Sequence, residues 1–235
     1  MIPVRKPIIY IISAPSGSGK STLVNELLKL VPNLDFSISY TTRAPRGSEQ
    51  NGKEYYFVTR AEFERMIRAD AFLEHANVFD KDLYGTARRF LKEAEQKGHD
   101  LLLDIDVQGA AQIKHKQPEA VSIFVLPPDR KTLEWRLRKR GEDAPDVIQR
   151  RLDKAGREIE NYDKYNYILI NDVLEKSIES LQDIVLAERF GGLGRPLTES
   201  EKQIVERAER CRLANLKDRL GPILESFRNP PPAAQ

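Results

Sequence analysis

The most constraining stretch of the chain is Ile8-Ile-Tyr-Ile-Ile-Ser-Ala-Pro-Ser-Gly-Ser-Gly-Lys-Ser-Thr22. Ile8 to Ile12 is an apolar, β-branched run that predicts a strand buried on both faces. Small residues follow, from Ser13 to Gly19, then Lys20, Ser21 and Thr22, after which Leu23, Val24, Leu27 and Leu28 recur at helical spacing. Strand, glycine loop, Lys-Ser-Thr and helix in that order make a phosphate-binding loop. Gly17 and Gly19 let successive backbone N–H groups converge on one hollow, and the helix N-terminus adds partial positive charge. Ala14, Pro15, Ser16, Gly17, Ser18, Gly19, Lys20, Ser21 and Thr22 are therefore the candidate triphosphate-binding residues. Lys20 would reach the β- and γ-phosphates, and the Ser21 hydroxyl would ligate Mg²⁺. Ala14 stands where the usual pattern has its first glycine, which costs little if its φ is negative.

At 235 residues the chain is long enough for one large domain or two small ones. A net charge of +2 implies no strong field for nucleic acid. The single cysteine, Cys211, excludes an intramolecular disulfide framework and fits a reducing, cytoplasmic setting. No apolar run approaches the roughly 18 residues of a membrane helix. Arg5 and Lys6 ahead of Ile8–Ala14 imitate a signal peptide, but cleavage there would destroy the phosphate loop.

Further along, Phe36 to Tyr40 alternates and predicts a strand, which runs into the basic loop Thr41-Thr-Arg-Ala-Pro-Arg-Gly47. Tyr55–Val58 reads as a strand. Thr59 with Glu62 forms a capping box for a helix from Arg60 to about Ala69. Phe72–Phe79 reads as a strand, Asp80–Asp82 as a turn, and Thr86 as the cap of a helix to about Lys97. Leu101–Asp106 predicts a second buried strand ending in carboxylates, with a helix from about Gly109 to Lys116. Val121–Leu126 predicts a third core strand, and Asp129 a cap for the basic helix Arg130–Arg140. Gly141–Asp146 is polar; a helix from Val147 to about Tyr162, a strand Tyr167–Ile170 and a helix from Leu174 to about Phe190 follow. Strands alternating with helices predict an α/β doubly wound parallel sheet. Gly191–Gly194 reads as a linker. Thr198-Glu-Ser-Glu201 is a capping box for a long amphipathic helix that Gly221-Pro222 should end, starting a short second one.

Residues 8–190 resemble the guanylate kinases, of the nucleoside monophosphate kinase type. The resemblance rests on Ser13–Thr22, Ser37–Arg46, Asn51-Gly-Lys-Glu-Tyr-Tyr-Phe57, Tyr84-Gly-Thr86, Leu103-Asp-Ile-Asp-Val-Gln-Gly109 and Ile170-Asn-Asp172. The glycine loop alone says only NTPase; Thr-Thr-Arg-x-Pro-Arg together with Asp-Ile-Asp-x-Gln-Gly is far more specific. The resemblance implies a P-loop NTPase-type domain over 1–190. Its parallel core would span 1–35 and 98–190, with a GMP-binding insert at 36–97 and a mobile lid at about 137–150. A linker at 191–197, a helical extension at 198–228 and a disordered tail at 229–235 lie beyond it. It also implies the reaction ATP + GMP ⇌ ADP + GDP with Mg²⁺, and leaves dGMP open as an acceptor. Nucleic acid and membrane are not expected partners, and a homo-oligomer through the C-terminal helix is left open.

The residue chemistry points the same way. Phosphoryl transfer asks for positioning and charge neutralisation, and Arg43 and Arg46 sit in one loop, close enough to clamp one phosphate in bidentate fashion. The resemblance adds Tyr55 and Tyr84 to that phosphate. Glu74 is a carboxylate in an apolar strand, suited to accept both N1–H and N2–H₂ of guanine, a donor pair that adenine lacks. The resemblance places Ser39 and Thr86 on the guanine edge. Asp104, at the end of a Leu-Leu-Leu run, occupies the Walker-B-like place near Mg²⁺, and Asp106 should face the GMP side of the same strand. The resemblance makes Arg136, Arg140 and Arg151 the lid arginines that close on the ATP phosphates, and brings Asn171 to adenine. Arg138, Lys139 and Arg150 crowd the same segment, so for any single arginine there the alternative is a solvated helix face.

Two other readings compete. A non-catalytic guanylate-kinase-like binding module would typically lose loop or arginine positions, whereas this chain keeps Lys20, Ser21, Arg43, Arg46 and Asp104. A P-loop kinase with another acceptor, such as a phosphorylated sugar, is disfavoured by Glu74 and Ser39. The extension should be a packing or oligomerisation element without a catalytic group.

Overall fold

The computed structural model describes residues 6–78, 82–139 and 144–228. The apolar run after Pro7 forms β1 (Ile9–Ser13), all five residues buried. It belongs to a five-stranded sheet with β2 (Leu34–Ser37), β7 (Asp100–Asp104), β8 (Val121–Leu126) and β9 (Tyr167–Ile170), in the order β2-β7-β1-β8-β9. β2 pairs with β7 and β8 with β9 in parallel. β1, β7 and β8 are buried nearly throughout, as strands inside a parallel sheet are. The chain divides within β1 into two compact units, Met1–Ile11 with Pro32–Val121 and Ile12–Val31 with Ser122–Gln235.

The first unit carries a second, smaller sheet of β3 (Tyr40–Thr41), β4 (Tyr56–Phe57), β5 (Phe72–Val78) and β6 (Asp82–Ala87), ordered β4-β3-β6-β5. Its helices are α2 (Arg60–Arg68), α3 (Arg88–Lys97) and α4 (Val107–Lys116). Phe63 and Phe72 stack at 4.5 Å in a small core closed by Leu83 and Ala87. The expected strand Phe36–Tyr40 is two strands. Ser37 pairs with Leu103 in the large sheet, and Tyr40 pairs with Tyr56 and Gly85 in the small one. Alternation carries on through residues 38–39, so the sequence pattern does not show the change of sheet.

Thr59 caps α2 by accepting the Glu62 N–H. Thr86 does not cap α3: it is the last but one residue of β6, Ala87 holds the cap position, and the threonine hydroxyl is used elsewhere. Asp106 is not in the strand, which ends at Asp104. It caps α4 instead, with Oδ1 accepting from the N–H groups of Gln108 at 3.0 Å and Gly109 at 2.9 Å. That cap starts the helix at Val107, earlier than expected. Of the expected Asp80–Asp82 turn, residues 80 and 81 lie outside the described residues.

The second unit contains α1 (Lys20–Leu30), α5 (Arg130–Lys139), α6 (Pro145–Ile159), α7 (Leu174–Gly191), α8 (Glu199–Glu209) and α9 (Lys217–Arg228), besides β8 and β9. Asp129 caps α5 through the Thr132 N–H at 2.6 Å. The Thr198–Glu201 capping box is present, and α8 packs along α7. Two hydrogen bonds of 2.7 and 2.8 Å join Arg207 to the buried Asp183. The long helix expected beyond residue 198 stops at Glu209. There the backbone turns to the edge of β9: Cys211 O accepts the Ile168 N–H at 2.8 Å, and Arg212 bridges Tyr167. The Arg212 guanidinium lies 4.0 Å over the Tyr167 ring, and both side chains donate to Glu188. Pairing with a sheet edge outweighs helix continuation because an unpaired strand edge leaves backbone donors and acceptors unused. Nor does Gly221-Pro222 break a helix; α9 runs through both, with Pro222 exposed and giving up one ladder bond. Among the described residues no helix is long and apolar enough to cross a membrane.

Candidate active site

In the second unit, the phosphate loop runs from the end of β1 into α1. Gly19 takes φ +89, in the left-handed region, and a Cβ there would lie 2.4 Å from Asn171 Nδ2. No side chain caps the start of α1, and such a helix N-terminus favours an anion. Ala14 is not among the non-glycine residues with positive φ, which are Asn33 and Asp70, so the departure from the usual glycine is strain-free.

Three side chains brace this loop. Asn171, at the end of β9, is buried and donates through Nδ2 to Ser18 O at 2.7 Å. Arg136 on α5 donates to Asn171 O at 2.9 Å and to Ser18 O at 3.4 Å. Arg151 on α6 donates to Ser16 Oγ at 2.6 Å. Helical phase separates these arginines from their neighbours: Arg138 pairs with Glu134 at 2.7 Å and Arg150 with Asp146 at 2.8 Å, on solvated faces. Ser18 Oγ is buried and has no hydrogen-bond partner among the described residues. Arg140 and Gly141–Asp143 lie outside the described residues.

The first unit holds the other candidates. Glu74, 3% exposed, sits on β5 directly across from Thr86 on β6. Thr86 Oγ1 donates to Glu74 Oε1 at 2.6 Å. Burial pushes the Glu74 carboxyl up to about 7; the Thr86 hydrogen bond pulls it back, and the nearby Asp106 adds to the rise. Asp106 thus lies close to Glu74 although it has left the strand. The sequence alone assigns no role to Gly109, yet a Cβ there would sit 2.6 Å from Glu74 Oε2. Its only signal was its place at the end of Asp-Ile-Asp-Val-Gln-Gly109. Lys116, also missed, donates to Leu73 O at 2.7 Å and favours the ionised form of Glu74. His75 is exposed, and its backbone exchanges hydrogen bonds with the Gln112 side chain at 3.3 and 2.7 Å.

Arg43 is buried beside the aromatic wall. Nε donates to Tyr84 Oη at 3.0 Å, Nη1 to Ala44 O at 2.8 Å, and Nη2 to Glu49 Oε1 at 3.0 Å. The Tyr55 ring lies 5.3 Å from its guanidinium carbon and 5.8 Å from the Tyr84 ring. Burial pushes the Tyr55 hydroxyl up to about 12, and Asp104 is the next cause, which places that carboxylate's charge near the phenol. Arg46 is exposed, and its backbone N–H donates to Glu49 Oε2 at 2.8 Å. Glu49 is a further missed residue. Ser39, in the link from β2 to β3, is half-buried, its carbonyl accepting from the Tyr56 N–H. The unit therefore combines a buried carboxylate, a hydroxyl beside it, and an Arg-Tyr-Tyr set suited to a phosphate.

The guanylate kinase family model matches residues 5–188. The chain belongs to the guanylate kinase family. It is 58% identical over 224 residues to the guanylate kinase of Koribacter versatilis, covering 94% of this chain and 96% of that protein. It is 48% identical over 185 residues to that of Buchnera aphidicola subsp. Schizaphis graminum, covering 78% and 89%. The solved guanylate kinase of Anaplasma phagocytophilum superposes with a TM-score of 0.65 at 35% identity, over 77% of this chain and 86% of that one. The match to the Koribacter versatilis protein covers 94% of the chain and so runs past Gly191 into the C-terminal extension, whereas the family model ends at residue 188.

Proposed function

We propose that this guanylate kinase family member transfers the γ-phosphoryl group of ATP to GMP, giving ADP and GDP. The observation that carries the reading is Glu74. A buried carboxylate held by Thr86, against a glycine that leaves it room, is suited to accept two adjacent N–H donors, and guanine supplies them. Arg43, Arg46, Tyr55 and Tyr84 would hold the GMP phosphate, with Ser39, Thr86 and Asp106 around the base. The loop from Ala14 to Thr22 would hold the ATP phosphates through backbone N–H groups and Lys20. Arg136 and Arg151 now donate to loop oxygens, and in the reaction would shift those donors to phosphate oxygens as charge builds on the transferring group. Asn171 would serve ATP by holding the loop in shape. Arg140 keeps the role that the family resemblance implies.

Mg²⁺ fits the donor set by its chemistry. Ser21 and Asp104 would offer hard oxygen donors of the kind magnesium takes. An ion carried in largely by the nucleotide and its water suits magnesium. When bound, it would neutralise charge on the β- and γ-phosphates. A cytoplasmic setting, where Cys211 stays a thiol, belongs to the same proposal.

A coupled ADP-release assay across GMP, dGMP, AMP, CMP and UMP tests it. Turnover should be confined to the guanine nucleotides. Equal use of AMP and GMP would overturn the assignment of Glu74.

A further inference from the structure

The C-terminal extension touches the helices that carry the loop arginines. Ser226 Oγ accepts the backbone N–H of Arg130, the first residue of α5, at 3.1 Å, and itself donates to Ile223 O at 2.7 Å. Phe227 packs against the apolar cluster of Leu133, Leu137, Ile148, Leu152 and Ala155, which joins α5 to α6. Leu224 and Phe227 line one side of the groove whose other side includes Leu152 and Ile159.

Contact continues from that cluster to the phosphate loop. A Cβ placed at Gly17 would lie 2.9 Å from Leu133 Cδ1 and 2.9 Å from Leu137 Cδ2, so these leucines already rest on the loop. Arg136 lies between them in sequence, on the same helix, and donates to Ser18 O and Asn171 O. One packed path thus leads from Phe227 through Leu133 and Leu137 to Gly17. The hydrogen bond from Arg130 to Ser226 fixes the first turn of α5, whose N–H groups have no partner within the helix.

We propose that Ser226 and Phe227 of α9 are positioning residues for the reaction: they hold the α5–α6 pair in the placement that delivers Arg136 to the phosphate loop. The extension then serves turnover without carrying a catalytic residue. The inference rests on the phosphate-handling role of Arg136 proposed above. Its physical basis is that small displacements of a charge-stabilising group cost rate steeply. An arginine side chain is flexible, but the helix beneath it sets its reach, and α5 is buried only at Leu133 and Leu137. Without α9, the α5–α6 cluster loses its Phe227 cover and Arg130 its N–H acceptor.

The test uses the full chain with Ser226→Ala, Phe227→Ala and both together, assayed where circular dichroism shows each protein fully folded. The double variant should lose kcat by about tenfold, with KM for GMP changed by less than about twofold. Phe227→Leu should restore most of the loss. Amide exchange over α5 should accelerate in Phe227→Ala without nucleotide, while α1 keeps its protection. In an Arg136→Lys background the double tail substitution should change kcat by less than about twofold, because the group being positioned is already altered. Wild-type kcat in a folded double variant would overturn the proposal, as would a loss that persists undiminished beside Arg136→Lys. Arg136→Ala separates the two readings. If it is severe while the tail variants are silent, the tail proposal alone fails; if it is silent, the role of Arg136 fails and the tail proposal with it.

Discussion

Glu49 holds Arg43 and the backbone of Arg46 at once, its Oε1 accepting from Arg43 Nη2 at 3.0 Å and its Oε2 from the Arg46 N–H at 2.8 Å. One carboxylate therefore closes the basic loop on itself and aims the guanidinium that is proposed to meet the GMP phosphate. The arrangement lowers the Glu49 carboxyl below its ordinary range, the Arg43 hydrogen bond being the main cause. The partner shift agrees in sign, with Glu49 and Tyr84 holding Arg43 protonated against the cost of burial.

Glu49→Ala should therefore weaken GMP more than ATP. A charge-assisted hydrogen bond contributes roughly 1.5–3 kcal/mol, and part of that is recovered when Arg43 no longer has to be shared with a carboxylate. The expected net effect is a rise in KM for GMP of about tenfold, with KM for ATP unchanged. Initial-rate kinetics in both substrates check it. A lower KM for GMP would mean that Glu49 competes with the phosphate and does not position its ligand.

Glu74 makes GMP use sensitive to pH. With a carboxyl near 7 in the nucleotide-free protein, about half of the molecules carry the proton at neutral pH, and only the carboxylate can accept from both guanine donors. Below pH 7, kcat/KM for GMP should fall by up to about tenfold per pH unit, as one proton must leave before the base is read. Stability runs the other way. The folded-state value lies above the ordinary 4.5, so the folded protein binds the proton more tightly than the unfolded chain does. Ionising Glu74 then costs stability, a cost absent below about 4.5 and complete above about 7, roughly 3 kcal/mol in all. Glu74→Gln should raise the melting temperature relative to the parent at pH 8 and have little effect at pH 4.5, while lowering kcat/KM for GMP by ~10²-fold or more. Thermal melts of both proteins at the two pH values decide it; an equal shift at both would show that the Glu74 carboxyl is not raised.

The parts of the molecule legible in the sequence are those whose signal is contiguous. Ile8–Thr22 holds strand, loop and helix start within fifteen neighbouring residues, and Thr198–Glu201 is a complete capping box. What escaped depends on pairs far apart in the chain, or on competition for one group. Gly109 matters because Glu74, far away in sequence, comes to within van der Waals range of it. Glu49 looks like a solvated charge in a polar loop until both its oxygens are seen to be occupied. Thr86 has the right type for a helix cap, but Glu74 takes its hydroxyl. Among the crowded arginines, Arg138 and Arg150 find carboxylates four residues away on their own helices, whereas Arg136 and Arg151 reach the loop. Residue type alone could not sort them.

Gly109→Ala tests the space around Glu74. The added methyl would lie 2.6 Å from Oε2 and 3.0 Å from Cδ, well inside contact distance, so the carboxylate or α4 must shift. Since Asp106 caps α4 through the Gly109 N–H, a shift of the helix would also disturb the cap. KM for GMP should rise by about tenfold or more, with the ATP KM unchanged. Unaltered GMP kinetics would show that Glu74 can swing aside at no cost, and that its aim is not what selects guanine.

A single change at Asn171 separates a loop-bracing role from an adenine contact. Its Nδ2 donates to Ser18 O at 2.7 Å, its backbone carbonyl accepts from Arg136, and its side chain fills the space above Gly19. The family resemblance brings it to adenine; its buried contacts tie it to the phosphate loop. Asn171→Ala removes the short amide bond to Ser18 O and leaves that carbonyl the longer 3.4 Å bond from Arg136, a loss of about 1 kcal/mol. It also opens a void beside a left-handed glycine, which frees the loop to leave its phosphate-binding shape. A loop-bracing role predicts a lower melting temperature together with a rise in KM for ATP of about tenfold. It further predicts that KM for ATP and for other nucleoside triphosphates rises by the same factor, since the triphosphate is common to all of them. An adenine contact predicts instead that ATP alone is weakened and that GTP or CTP as donor is unaffected. Steady-state kinetics with the three donors, run beside thermal melts, distinguish the two; a selective loss for ATP with an unchanged melting temperature would refute the bracing role.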